Sequence, residues 1–536
     1  MTKNPTNWTG RDDAMVEDMI RRGATRRDLL RMLMASGAGL AAGGSVLMRA
    51  TEAVAQTPVS GGSLRAAGWS TSTADTLDPA KATLSTDYVR CCSIYNRLTF
   101  LNEAGEVEME LAEEIASDDA KTWQVTLRDG ITFHDGKPLT SADVVFSLQR
   151  HLDPAVGSKV NSIASQMSEI SAVDDKTVKI VLSSANADLP TILALHHFMI
   201  VADGTTDFSK GNGTGAFIME VFEPGVRSVV VKNPNYWKPE GPYLDSLEFV
   251  AISDDSARVN ALLSGDIDYA GSVGARSMRL LKGQDSVETA VSTSGNYTNL
   301  NMRLDLHPGD KAGFVEGMKY LLNREAIQQS AFRGLAEIGN DQPVPPSNRY
   351  HNPNLKARDY DPERAKALFE TAGLVGTEIP LVASDAANAS VDMATILQQA
   401  GREIGMNFKV DRVPSDGYWS NYWLKAPVHF GNINPRPTPD ILFSLLYASD
   451  APWNESQYKS EKFDAMLIEA RASLDEEKRT AIYWEMQEIV ADDAGTAIPV
   501  YISNVDAHTT KMHGLKSNPL GNMMGYAFAE YVWLES

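Results

Sequence analysis

Apolar and polar residues alternate most plainly where Trp123, Val125 and Leu127 are interleaved with Gln124 and Thr126. Successive strand side chains point to opposite faces, so this pattern predicts a strand with one buried face. Asp129-Gly130 and Asp135-Gly136 follow as turn dipeptides. Thr140 then stands at an N-cap position with Asp143 three residues on, and Val144, Val145, Leu148 and Leu152 continue at helical spacing. The alternation returns at Leu247, Phe249 and Ala251, after which Asp254-Asp255-Ser256 opens a helix through Val259, Leu262 and Leu263 that Gly265 ends. Asp361-Pro362-Glu363 supplies a cap, a first-position proline and a first-turn acid ahead of Ala365, Leu368 and Ala372. A helical stretch is expected from Phe314 to Gln329. Apolar stripes at Phe463, Met466, Leu467 and Ala470, and at Ile482, Met486, Ile489 and Val490, predict two more. Strand-like and helix-like pieces interleave without a repeat, which places the chain in the α/β class.

Composition narrows the picture. The 536 residues carry 49 Lys+Arg against 70 Asp+Glu, a net charge of −21, so the surface repels nucleic acid and anionic lipid. The length exceeds one usual core, and two lobes are expected from it. Cys91 and Cys92 are adjacent and can close only a strained ring, so they read as two small buried thiols.

The amino terminus bears on location. Thr25-Arg26-Arg27-Asp28-Leu29-Leu30-Arg31 resembles the twin-arginine export motif and precedes a Gly/Ala-rich apolar stretch from Met32 to Met48. Ala53-Val54-Ala55 offers a small-x-small cleavage site, so residues 1–55 are expected to be a signal peptide with a mature start near Gln56. The stretch is too Gly-rich and too short for a strong membrane anchor.

Phe133-His134-Asp135-Gly136-Lys137-Pro138-Leu139-Thr140-Ser141-Ala142-Asp143-Val144 resembles the signature segment of the extracytoplasmic solute-binding proteins of family 5, which feed peptide, nickel and related ABC importers. Leu77-Asp78-Pro79, Tyr95-Asn96-Arg97-Leu98, Gly213-Thr214-Gly215-Ala216-Phe217, Asn233-Pro234-Asn235-Tyr236-Trp237, Ser264-Gly265-Asp266-Ile267-Asp268 and Asn323-Arg324-Glu325-Ala326-Ile327 fall in that family's order. The resemblance implies a two-lobed periplasmic-binding-protein (Venus flytrap) fold of the large class. Lobe one would be 57–299 plus 505–536 with a subdomain insert at about 84–205, and lobe two 300–504. Two strands crossing between the lobes would form a hinge.

No catalytic set assembles. Gly211, Gly213 and Gly215 lack the lysine and spacing of a phosphate loop and read as a tight turn. His196-His197 has no metal-ligand partner pattern, and no G-x-S-x-G elbow is present. Neither an enzyme nor a cofactor is expected.

Binding asks for a cleft with aromatic faces and a few fixed polar groups. By resemblance, the segment Thr83, Leu84 and Ser85 would run along a peptide ligand's backbone. Peptide-binding members also place an aspartate four residues before a proline to pair with the ligand ammonium. Matching Pro439 to that proline puts Pro435 where the aspartate belongs, so this anchor is missing. Arg436 offers a guanidinium for a carboxylate or phosphate, Asn432 and Asn434 suit hydroxyls, and Asp440 is the remaining candidate to replace the anchor. Trp69, Tyr418, Trp419, Tyr422, Trp423, Tyr447 and Trp453 are the aromatic candidates, of which Trp69, Trp419, Tyr447 and Trp453 are placed in the site. The expected function is a monomeric periplasmic receptor that closes on a peptide, modified peptide, opine-like or sugar-containing solute. Its expected partners are ABC permease subunits and, during export, the twin-arginine translocase. An exported hydrolase on the same scaffold, or a sensor or chaperone-like binder, stands as the alternative.

Overall fold

The computed structural model describes residues 58–70 and 72–535. The expected signal peptide lies outside the described residues. An eight-stranded sheet runs in the order Val287–Asn296, Val500–Thr509, Tyr269–Ala270, Ser63–Gly68, Ser246–Ala251, Arg227–Lys232 and Phe217–Glu223, with Ala336–Ile338 attached to Val500–Thr509. Ser63–Gly68 is parallel to both neighbours, and Leu64 and Ala66 lie opposite Leu247 and Phe249 on the buried face. The helix Asp255–Ser264 begins where Asp254 accepts the Ala257 N–H at 2.7 Å and ends at Gly265, whose φ of 79° suits a residue without a Cβ.

A four-stranded antiparallel sheet, in the order Ala112–Ala116, Thr122–Leu127, Thr177–Leu182 and Met167–Ala172, forms a separate layer on this part of the molecule. Trp123, Val125 and Leu127 are buried while Thr122 and Gln124 face solvent, as the alternation predicts. The helix Ser141–Gln149 covers it. Its start is fixed by Asp143, which takes the backbone N–H and the hydroxyl of Thr140, each at 2.8 Å.

The other lobe is built on a five-stranded sheet in the order Asn407–Arg412, Glu378–Ala383, Val428–Phe430, Leu300–Met302 and Thr496–Ala497. The expected helix from Phe314 to Gln329 is divided. Phe314–Leu321 stops at Leu322, and Asn323 starts a new turn by accepting the Ala326 N–H at 2.9 Å. The polar cap outcompetes continuation of the helix at that point.

Strands of the two large sheets are joined directly through 297–299 and 498–499, and the other lobe also sends Ala336–Ile338 back to pair with Val500–Ile502 at this crossing. Gly213 and Gly215 pack directly on the backbone of Ile94, where a Cβ at either position would collide with it. That close approach accounts for the glycine-rich stretch. Among the described residues no helix is long and apolar enough to cross a membrane, and no group of three metal-ligating side chains occurs.

Candidate functional site

Parallel strands Glu378–Ala383, Asn407–Arg412 and Val428–Phe430 end at the same sheet edge, so the loops that follow them gather there. Ser63–Gly68 likewise ends beside Ser246–Ala251 and Tyr269–Ala270, which places Trp69 at the matching edge of the first sheet. Ligands of open α/β sheets collect at such carboxyl ends. A cavity of about 610 Å³ lies here. The first lobe contributes Trp69, Tyr88, Arg97, His196 and Tyr526, the second contributes the loop Asn434–Pro437, and Asn296 and Asn504 come from the strands at the crossing.

The first-lobe wall is aromatic. Tyr88 and His196 each lie 5.3 Å from Tyr526 between ring centroids, Trp69 lies 6.3 Å from it, and Tyr88 and His196 are 5.2 Å apart. Burial, and then the nearby Arg97, push His196 down to about 3, so its imidazole is neutral and its Nε2–H donates to the Gly525 carbonyl at 3.0 Å. His197 is lowered as well, chiefly by burial, and burial pushes the Cys92 thiol up to about 12.

Tyr526 stands in a strained segment. Met523, Met524 and Tyr526 have φ of 55°, 55° and 75°, a region that side chains with a Cβ seldom adopt. Asp506 holds this segment. Its buried carboxylate accepts the Met523 N–H at 2.6 Å and the Asn522 amide at 2.9 Å, together with the Ser272 N–H at 2.8 Å and the Tyr269 hydroxyl at 2.9 Å.

Most charges around the cavity are paired. Arg97 lies 3.6 Å from Glu110, Lys238 sits 3.3 Å from Glu110 and 2.9 Å from Glu530, and Lys516 is 2.6 Å from Glu103. Glu110 is lowered: burial opposes ionisation, but Lys238, Arg97 and hydrogen bonds from Arg97 and Asn96 outweigh it. Arg436 differs. Its guanidinium reaches only the carbonyls of Asn434 at 3.3 Å and Pro435 at 3.2 Å and lies 5.8 Å from the ring centroid of Trp453. Burial lowers its pKa, as expected for a cation with no carboxylate beside it. Asn504 also has an unused group, because its buried Nδ2 has no hydrogen-bond partner while its Oδ1 takes the Asn296 amide at 3.4 Å.

Of the residues expected from sequence, Trp69, Asn434 and Arg436 line the cavity. Trp453 stands beside Arg436, and Trp423 and Trp419 continue an edge-to-face row with centroid steps of 5.6 Å. Trp419 and Trp453 are 41% and 36% exposed, leaving open ring faces, whereas Trp423 is fixed by donating its indole N–H to buried Glu455 at 2.6 Å.

The remaining candidates lie outside the cavity. The N–H groups of Thr83 and Leu84 are both committed to Asp87, at 3.1 Å each, and the Ser85 hydroxyl pairs with Ser70 at 2.5 Å, so these three donors are already engaged. The Asn432 amide oxygen accepts from Thr298 at 3.3 Å behind the loop. Asp440 cannot replace the missing ammonium anchor, because it is buried and paired with Arg471 at 2.8 Å. Tyr447 is a core residue, packed edge-to-face on Phe443. Tyr88, His196, Tyr526, Asn296 and Asn504 were not expected. Only His196 carried a sequence signal, as half of an unusual histidine pair.

Residues 106–455 match the family described as bacterial extracellular solute-binding proteins, family 5 Middle. The chain is 26% identical over 459 residues to the glutathione-binding protein GsiB of Escherichia coli K12, covering 82% of this chain and 89% of that protein. The ABC transporter substrate-binding protein CtaP of Listeria monocytogenes superimposes with a TM-score of 0.79 at 22% identity, over 89% of this chain and all of that one. The binding protein AgaA of A. tumefaciens R10, solved with agropinic acid, gives a TM-score of 0.69 at 25% identity over 89% of this chain and 99% of its own. Two lobes, a cavity between them and a match over well over half of the sequence make this chain a member of family 5 of the bacterial extracellular solute-binding proteins.

Proposed function

We propose that the protein is the receptor of an ABC importer and that its solute is a small, anionic, ring-bearing or polyhydroxylated compound, opine-like or sugar-containing, or a modified peptide. The observation that carries this reading is Arg436, a half-buried guanidinium lining the cavity with no acidic partner, beside the partly exposed ring of Trp453. A guanidinium pairs two oxygens of a carboxylate at once, and an indole face takes the apolar face of a ring. Asn434 and the unpaired Asn504 Nδ2 supply further polar contacts. The carboxylates of Glu110, Glu530 and Glu103 at the cavity are committed to cations and exposed Glu108 accepts the Asn102 amide, so a free α-ammonium finds no buried, unpaired carboxylate among them. The agropinic acid complex of AgaA supports a carboxylate-bearing solute, whereas the glutathione that GsiB is named for carries both carboxylates and a free α-ammonium.

In this reading residues 57–299 with 505–536 form lobe one, 300–504 form lobe two, and the insert spans about 84–205. The monomer is exported by the twin-arginine translocase through Arg26 and Arg27, is cleaved near Ala55-Gln56 and works in the periplasm. It releases its solute chemically unchanged to the permease.

Mass spectrometry of the exported protein and of the small molecules it releases on denaturation tests these points together. A mature start far from Gln56 removes the signal-peptide reading, and a solute without an acidic group removes the role of Arg436. With the identified solute, calorimetric titration of Arg436→Ala is expected to show binding weakened by about 2–5 kcal/mol. Unfolding of the free protein should shift by no more than about 0.5 kcal/mol. Equal affinities in wild type and variant would return Arg436 to solvent.

A further inference from the structure

The lobes meet a second time, away from both the cavity and the crossing strands. After the strand Thr177–Leu182 of the four-stranded layer, Asn186, Ala187 and Asp188 reach the other lobe's helices Glu461–Ala472 and Glu476–Asp493. The Ala187 N–H donates to the Arg471 carbonyl at 2.8 Å. Asp188 forms an ion pair with Arg479, and the two side chains are only 1% and 3% exposed. The Arg479 guanidinium is also stacked near Tyr350 and Tyr483, 5.2 and 5.7 Å from their centroids. Arg471 joins the cluster by bonding Asp440 at 2.8 Å and Ser444 at 2.7 Å, and Ile441 packs on the apolar core of the four-stranded layer. None of these residues lines the cavity.

We propose that the Asp188–Arg479 contact is a second closure point, a positioning pair that governs how long the closed lobes retain a solute it never touches. Rotation about the crossing strands moves one lobe relative to the other, so a buried contact between them is made in the closed arrangement and strained or broken on opening. An intact buried ion pair contributes little net stability, because desolvation of the two charges offsets their attraction. It is therefore a matching requirement more than an adhesive. The closed form is sound when both charges are present, and one charge left alone in that dry contact drives the lobes apart. The Oδ2 of Asp188 and the Nε of Arg479 have no hydrogen-bond partner, and the nearest other carboxylate, Asp440, is already committed to Arg471, so a lone charge would be poorly compensated.

This inference holds whichever solute is bound, and its test does not require that solute to be identified. Hydrogen exchange at the Ala187 amide and small-angle scattering are measured on the full natively purified protein, on Arg479→Gln, on Asp188→Asn and on the double variant. Each single variant is expected to speed Ala187 exchange about tenfold or more and to enlarge the scattering radius. Amides of Thr122–Leu127 in the same layer should keep their protection. The double variant, with no charge left to bury alone, should return toward wild type. Unchanged Ala187 exchange in both single variants overturns the proposal. So does exchange accelerated equally across Thr122–Leu127, which would mean general unfolding, or a double variant as open as the single ones.

Discussion

Glu455 shows what one residue reveals about how this protein was built. Its carboxylate is buried and accepts the Trp423 indole N–H and the Asn299 amide, each at 2.6 Å, with no cation nearby. Burial pushes it up to about 7 against those hydrogen bonds. Between the ordinary carboxylate range and that value the folded chain holds a proton that the unfolded chain has released, so stability falls as pH rises through this window. Glu455→Gln is expected to flatten that slope and to melt about 2–4 °C higher than wild type at pH 8. Thermal scans at pH 5 and pH 8 decide it, and parallel slopes for the two proteins would deny Glu455 any part in the pH response. Nothing near Glu455 in sequence foretells this. By contrast, Trp69 and Arg436 were legible, because the order of short motifs fixed their neighbourhoods. Tyr88, Tyr526 and Asn504 were not, since only tertiary contact brings such distant residues onto one wall.

At the scale of elements, local rules worked where one side chain controls one backbone turn. The Thr140–Asp143 cap and the Gly265 stop stand where their chemistry places them. They failed where a cap interrupts a continuous apolar stripe, as Asn323 does after Leu321. They also failed for the segment around Tyr526, whose positive φ values are imposed by Asp506 rather than by its own residues. Gly431, at the end of Val428–Phe430, is a further case of tertiary control. A Cβ there would collide with the carboxylate of Glu455 and the amide of Asn299. Gly431→Ala is expected to cost about 1–3 kcal/mol, the usual range for overpacking a core. Denaturant titration reads this, and a midpoint equal to wild type would show that the neighbours yield freely.

For the whole molecule, periodicity identified α/β texture, length pointed to two lobes, and the order of motifs along the chain gave their arrangement. Long-range contacts such as Asp188 with Arg479 leave no local trace, because neither residue's neighbours in sequence differ from those of a solvated helix or turn. Short crossings between rigid sheets concentrate motion in few dihedrals. Saturation with the solute identified by mass spectrometry should therefore shrink the scattering radius of protein refolded without it. Identical scattering curves before and after saturation would mean that capture proceeds without lobe closure.

An exported receptor lives in a compartment whose acidity follows the surroundings. The cavity groups closest to neutrality have been moved away from it: His196 sits near 3, His197 is lowered, Cys92 sits near 12 and Glu110 is held below the ordinary carboxylate range. His196 stays a neutral imidazole and Cys92 a thiol from mildly acid to mildly alkaline conditions, and His197 and Glu110 are shifted toward the neutral imidazole and the carboxylate. Titration of these groups therefore adds little acid dependence to capture, which leaves the cargo and Glu455, behind the tryptophan row, as groups that titrate near neutrality.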